Sequence, residues 1–298
     1  YTLSILVMGV RMIVKYRHNR YQIMRTLSVT FFQLAFAFII PGVLRLFNQP
    51  EFYFSYFWPL KYQYLFPESV KSLTSSSGGL GYFMVFCSVA MTFVATPILT
   101  YFFGKRWYCS WVCGCGGLAE TTGDPFRQLS DKSLKAWKIE RWMIHSVLVF
   151  VVATTALLWI NSAAKGNLLA GLSFGFAQVY GFLIGAVFSG IVGVGFYPIM
   201  GSRVWCRFGC PMAAILGILQ KYKSRFRITT NGGQCISCGN CSTYCEMGID
   251  VRAYAQKGKN IIRASCVGCG ICSAVCARGV LKLENGPEEG RIHLLVIR

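Results

Sequence analysis

Five apolar stretches, joined by connections that alternate between strongly basic and poor in Lys and Arg, constrain this chain more than any other feature. A helix needs about 20 apolar residues to cross about 30 Å of hydrocarbon. The stretches run Tyr1 to Val14, Thr26 to Phe47, Leu80 to Phe103, Trp142 to Ile160 and Leu172 to Met200. The first is short; the last is long and carries Gly181, Gly185, Gly190, Gly193 and Gly195, which suit tilt or close helix packing. Only 14% of residues are charged against 54% hydrophobic, with a mean hydropathy of +0.47. A soluble domain carries roughly 25% charged residues, so a single water-soluble domain is excluded and five crossings are expected.

The basic residues orient those crossings. They cluster at Lys15, Arg17, Arg20 and Arg25, then over Lys105 to Arg141, then after Arg203, and such clusters mark the cytoplasmic side. The net charge of +19 therefore reads as membrane topology, and no nucleic-acid partner is expected. The alternate connection 48–79 holds Phe52, Tyr53, Tyr56, Phe57, Trp58, Tyr62 and Tyr64, an expected aromatic belt on the outer face. Five crossings with an inner C-terminus place residue 1 outside, with room for an outer domain ahead of it. Between the third and fourth stretches, Asp124-Pro125 signals a helix start. Phe126, Leu129, Leu134 and Trp137 against Arg127, Lys132, Lys135 and Lys138 then predict a helix lying on anionic lipid.

From residue 226 the chain turns polar and rich in cysteine and glycine, so 1–225 and 226–298 are expected as a transmembrane helical domain and a second, smaller domain. Cys235, Cys238, Cys241 and Cys245 are followed by Cys266, Cys269, Cys272 and Cys276 with the same x2, x2, x3 intervals. This is the spacing of bacterial two-cluster ferredoxins, in which the fourth cysteine of each run ligates the other cluster. It predicts one [4Fe-4S] cluster on Cys235, Cys238, Cys241 and Cys276 and another on Cys266, Cys269, Cys272 and Cys245. Gly239, Gly268 and Gly270 would let backbone amides approach the sulfurs. The competing reading, two structural zinc sites, does not call for two matching three-plus-one runs. Where the usual pattern has proline after the fourth cysteine, this chain has Glu246 and Ala277. Strands are expected at Phe226 to Thr229, Ile261 to Arg263, Val280 to Glu284 and Ile292 to Ile297.

Two further pairs stand at the basic ends of the third and fifth stretches. Gly104-Lys105-Arg106-Trp107-Tyr108-Cys109 with Cys113 aligns with Gly201-Ser202-Arg203-Val204-Trp205-Cys206 with Cys210. Positions i and i+4 share a helix face, so each pair can aim two sulfurs at one centre, and four together suit soft-ligand metal chemistry. Cys109, Cys113, Cys206 and Cys210 are thus candidate metal ligands, for an iron–sulfur cluster or bound iron. A redox-active thiol pair and plain packing of small apolar side chains stay open. Cys115 is an extra thiol beside the first pair. Cys87 and His145 read as packing within crossings, His18 as a solvated side chain. The chain holds no phosphate-binding glycine loop, serine triad or paired-carboxylate signature.

With both cysteine runs, both C-x3-C pairs and the crossings in place, the chain resembles the NosR/NirI family of membrane-bound polyferredoxins. It is similar also to NapH quinol-dehydrogenase subunits and CcoG-like proteins. Cys206 to Pro211 matches those families' C-x3-C-P motif in full, whereas the first pair runs Cys113-Gly114-Cys115 without the proline. The resemblance implies a mainly α membrane protein of about five transmembrane helices with a C-terminal α+β two-[4Fe-4S] ferredoxin-like domain. It implies electron relay between that cytoplasmic domain and a quinone or an outer-face, flavin- or haem-bearing partner in a bacterial inner-membrane complex. The flavin-attachment motif of those families is absent from this sequence, which leaves open flavin on a preceding segment, flavin on a partner subunit, or no flavin at all. The alternative expectation is metal handling, assembly or redox sensing through the C-x3-C thiols.

Overall fold

The computed structural model describes residues 1–61, 66–164, 175, 178–179 and 181–285. Three helices are long and apolar enough to cross a membrane: α2 (Arg20–Leu46), α3 (Ser77–Phe103) and α6 (Leu134–Ala163). Only 17%, 22% and 17% of their most apolar windows are buried inside the protein. Phe31, Phe38, Phe86, Phe93, Trp142 and Val149 point outward instead, which is the face a lipid solvent would cover. Two expected crossings fall short of that length. Helix α1 (Thr2–Lys15) has 14 residues, about 21 Å at 1.5 Å per residue. It packs Ile5, Gly9 and Met12 inward and leaves Leu3, Val7, Val10 and Val14 exposed. Of the last stretch, helix α7 (Gly181–Gly195) is described and is likewise short.

Local sequence explains the breaks within the long helices. Asn19 caps α2 by accepting from the Tyr21 and Gln22 amides. Within α2 a π turn at Ala35–Ile39 precedes Pro41, and within α3 a π turn at Met91–Ala95 precedes Pro97. Proline lacks the amide and crowds the carbonyl four residues back, so each helix widens by one hydrogen-bond step just before it. Thr96 Oγ1 donates to the Met91 carbonyl at 2.7 Å, satisfying one acceptor within that turn.

The segment expected to lie along the lipid is instead two elements. Asp124–Leu129 forms a short 3-10 turn with Asp124 and Arg127 buried, and Ser133 then caps α6, its hydroxyl accepting from Ala136. Burial of that charged pair by ionic partners overrode the amphipathic pattern. The aromatic loop also differs from a simple belt: Phe57 is buried against the Tyr108 ring at 5.6 Å, and Trp58 Nε1 donates to Thr155 Oγ1 on α6 at 3.1 Å. Tyr62 and Tyr64 lie outside the described residues.

After α3 come α4 (Arg106–Cys109) and α5 (Gly114–Thr121); after α7 come α8 (Tyr197–Met200), α9 (Val204–Phe208) and α10 (Pro211–Lys223). The C-terminal part holds β1 (Arg227–Thr230), α11 (Asn240–Thr243), α12 (Val251–Gln256), α13 (Ile271–Ala274) and β2 (Leu281–Glu284). The strands pair antiparallel, Arg227 opposite Glu284 and Thr230 opposite Leu281. Ile261 contributes one isolated bridge to Ile228 rather than a third strand. The expected strand at 292–297 lies outside the described residues. A continuous core joins the helical layer to the C-terminal part through Trp107, Tyr108, Met212, Leu216, Phe226, Ile228, Val267 and Leu281.

Candidate functional site

Two cavities in the C-terminal part are each walled by four cysteines. One is lined by Cys235, Cys238, Cys241 and Cys276. The other is lined by Cys245, Cys266, Cys269 and Cys272. The local backbone repeats between them with an offset of 31 residues. Left-handed Gly239 and Gly270 open α11 and α13, which place Cys241 and Cys272, and left-handed Gly248 and Gly279 follow Cys245 and Cys276. Amides reach the sulfurs: Ile249 N–H donates to Cys245 Sγ at 3.4 Å, and the Gly268 amide bonds to the Cys266 sulfur.

The second cavity is fastened to the helical layer. Tyr21 and Gln22, at the start of α2, donate to the carbonyls of Gly268 and Cys269 at 2.8 and 2.9 Å. Gln220 Nε2 donates to the Arg263 and Cys266 carbonyls, both at 2.8 Å. Ser110, next to Cys109, donates to the carbonyl of Val267, next to Cys266, at 2.8 Å. The first cavity faces outward, with Cys238 exposed.

The two C-x3-C pairs repeat one geometry, though not on one helix face as the i,i+4 spacing suggested. Cys109 ends α4 and Cys206 lies in α9, while Cys113 and Cys210 are the residues capping the starts of α5 and α10 in extended conformation. In each half the second cysteine's amide bonds five residues back, Cys113 to Tyr108 at 2.7 Å and Cys210 to Trp205 at 3.0 Å. The turn begins in each half at a left-handed glycine, Gly104 and Gly201, ending the preceding helix. All four thiols lie close enough to interact electrostatically: burial pushes Cys109 well up, Lys105 opposes it, and Cys206, Cys113 and Cys210 add to the rise. Cys113 goes the other way, lowered to about 7 by a hydrogen bond from Cys115 against burial, with help from the Gly116 amide and Arg203. Cys115, which spacing singled out only as an extra thiol, therefore belongs to this group.

A buried ionic chain links the two sulfur-lined regions, and it is what sequence reading missed. Arg25 Nη1 lies 2.7 Å from Glu120, Glu120 also meets Arg203, Arg203 Nη2 lies 3.0 Å from Glu246, and Glu246 pairs with Arg127 at 2.6 Å. Arg127 then pairs with Asp124 at 2.7 Å and Asp124 with Lys15 at 2.5 Å. Glu246 is fully buried; although burial raises it, Arg203, Arg127 and Arg25 hold its carboxyl down at about 2. Burial raises Asp124 as well, but Arg127 and Lys15 hold it below the usual range. The available signal was Glu246 in place of proline, in a chain with only 11 acidic residues.

The residues fit an iron–sulfur group. Among the described residues no three His, Cys, Asp or Glu converge as a cage for a single ion, the arrangement zinc requires at about 2.3 Å per sulfur; each set of four cysteines instead stands around a shared pocket. Arg25 is fully buried, and its Nε and Nη2 have no hydrogen-bond partner, leaving positive charge for an anionic group near Cys269. Burial pushes the Cys269 and Cys272 thiols well up, so loading a thiolate-bound group must displace protons. A cluster bound there supplies a one-electron couple. The chain's own part is to hold the sulfurs, exclude water and set the local charge.

The sequence matches the 4Fe-4S binding domain family over residues 85–133 and 180–229, the two stretches that contain Cys109, Cys113, Cys206 and Cys210. It is 22% identical over 171 residues to the "Putative electron transport protein YccM" of Escherichia coli (strain K12), covering 55% of this chain and 48% of that protein. The chain thus spans about half the length of the curated relative it matches. No solved structure matches. Family match and relative together support an iron–sulfur protein of electron transfer whose chain carries three helices long and apolar enough to cross a membrane.

Proposed function

We propose that this protein is a membrane-bound relay carrying electrons through three iron–sulfur centres. One [4Fe-4S] cluster is held by Cys235, Cys238, Cys241 and Cys276, and one by Cys245, Cys266, Cys269 and Cys272. A third centre is held by Cys109, Cys113, Cys206 and Cys210. The outward-facing cluster exchanges electrons with a cytoplasmic-side partner, and the third centre with a membrane quinone or an outer-face redox subunit of a bacterial respiratory complex. The observation that carries this reading is continuity: the Ser110 to Val267 hydrogen bond joins the residue after Cys109 to the residue after Cys266. The family match over both C-x3-C pairs supports iron at the third centre.

Iron and sulfide per chain, measured on anaerobically purified protein with EPR during reductive titration, test the reading. Three cubane clusters require about twelve iron atoms and two about eight. A value near twelve that falls to about eight in a Cys109→Ser/Cys206→Ser double variant supports the relay. A value near eight in the unaltered protein removes the third centre.

A second reading draws on Cys113, whose lowered thiol and Cys115 neighbour resemble reactive thiol pairs. It assigns the C-x3-C cysteines to metal handling or redox sensing. Iron near eight together with rapid alkylation of Cys113 would favour it.

A further inference from the structure

We propose that Arg203 is a shared electrostatic partner of the C-x3-C centre and the Cys245/Cys266/Cys269/Cys272 centre, and that Glu246 divides its charge between them. The proposal rests on the reading that both are iron–sulfur centres. Arg203 is buried to 1% exposure. On one side its Nη1 donates to the Cys109 carbonyl at 3.1 Å and lies 3.8 Å from Cys206 Sγ. On the other its Nη2 lies 3.0 Å from Oε1 of Glu246, the residue following Cys245. Its Nε has no hydrogen-bond partner. The aligned Arg106 of the first pair does none of this: its guanidinium stacks on Phe226 at 4.5 Å and reaches Asn285 at 2.7 Å. The chain's internal repeat therefore sets one guanidinium between the centres and turns the other toward Phe226 and Asn285.

The consequence follows from Coulomb's law in a poorly screened interior. Each reduction adds one negative charge to a centre, and the charge of Arg203, in contact with Cys109 and Cys206 and reaching the other centre through Glu246 beside Cys245, favours reduction of either. Glu120 and Glu246, both paired with Arg203, offset that charge, and Glu246 does so chiefly at the centre carrying Cys245. Because a fixed positive charge acts additively, removing it lowers each centre's potential by an amount set by that centre's distance from it. Arg203 acts as a positioning residue: it holds no metal, yet it shifts the potentials of both centres in the same direction.

The test is a potentiometric titration of the full-length protein in detergent, followed by EPR, with iron content measured on each variant. Glu246→Gln keeps shape and removes the negative charge, and it raises the potential of the Cys245 centre by about 59 mV, a tenfold change in a one-electron equilibrium. Arg203→Gln lowers the potentials of both centres, and Arg203→Lys restores most of the loss. If Arg203→Gln loses iron, Glu246→Gln decides the matter: a raised potential at the Cys245 centre supports the proposal, and an unchanged or lowered one overturns it. Opposite shifts at wild-type iron content support the proposal. Unchanged potentials, or shifts of the same sign, at wild-type iron content overturn it. Iron near eight in the unaltered protein would instead remove the third centre, a failure of the underlying reading and distinguishable from the first.

Discussion

The two halves of the cysteine repeat share their turns but not their surroundings. Ser237 and Gly268 occupy equivalent positions, both left-handed, at φ 59° and 63°. In the outer half the position can carry a side chain, and Gln256 Nε2 donates to Ser237 Oγ at 2.7 Å. In the inner half a Cβ on Gly268 would come 2.7 Å from the Arg106 Cβ and 3.0 Å from the Phe226 ring. The same backbone is thus tolerant where it meets solvent and unforgiving where it meets the helices. The lesson is that duplicated local geometry does not imply duplicated energetics: the inner loop is held by Tyr21, Gln22, Ser110 and Gln220 and sits beside buried charges, while the outer loop has no such clamp among the described contacts.

Charge removal should separate the halves most. Arg127→Met strips one partner from both Glu246 and Asp124 and should cost about 3 kcal/mol, the scale for breaking a buried pair. Arg252→Ala, in the wall of the outer cavity, should stay within about 0.5 kcal/mol. Thermal unfolding in detergent measures both; equal midpoints would erase the distinction.

Backbone substitution should sharpen it. Gly268→Ala combines a left-handed φ with the clash above and should cost about 1–3 kcal/mol, along with iron from the inner site. Ser237→Gly relieves a non-glycine left-handed residue but loses a hydrogen bond, so its net effect should be under about 1 kcal/mol. Parallel iron analysis and thermal midpoints distinguish these outcomes, and loss of iron in Ser237→Gly alone would reverse the assignment.

Gln22→Ala should have a smaller effect, about 1 kcal/mol, by leaving the Cys269 carbonyl without its donor at 2.9 Å. Its readout is faster amide exchange across 267–270 at unchanged exchange across 236–239. Smallest of all, Cys115→Ser should leave iron content untouched. It should raise the Cys113 thiol by weakening the hydrogen bond that lowers it, which alkylation rate against pH would detect in iron-free protein.

Part of this architecture was legible early. The apolar stretches at Thr26–Phe47, Leu80–Phe103 and Trp142–Ile160 correspond to α2, α3 and α6 because a long uninterrupted apolar run admits few folds other than a buried or lipid-facing helix. The polar switch near residue 226 marked the start of β1. Less legible was the Asp124–Trp137 segment, where basic and apolar residues gave a lipid-surface pattern, although Asp124 and Arg127 are drawn inward by Lys15 and Glu246 from distant parts of the chain. The C-x3-C pairs looked like single helix faces, but Gly114 and Pro211 start new helices and leave Cys113 and Cys210 as the capping residues.

What the sequence determined by itself is local: where helices can run, where left-handed glycines turn the chain around each cysteine, and which two segments are copies of each other. These follow from backbone sterics and from spacing over a few residues. Only the tertiary structure decided which cysteine-lined cavity is clamped to the helical layer, and that Arg203 rather than Arg106 lies between the sulfur-lined regions. It also decided that Glu246 is a buried ion rather than a missing proline. Arg203 and Glu120 are 83 residues apart and Arg127 and Glu246 are 119 apart. Pairing of buried charges over such separations depends on where folding brings them, a property that no short stretch of sequence contains.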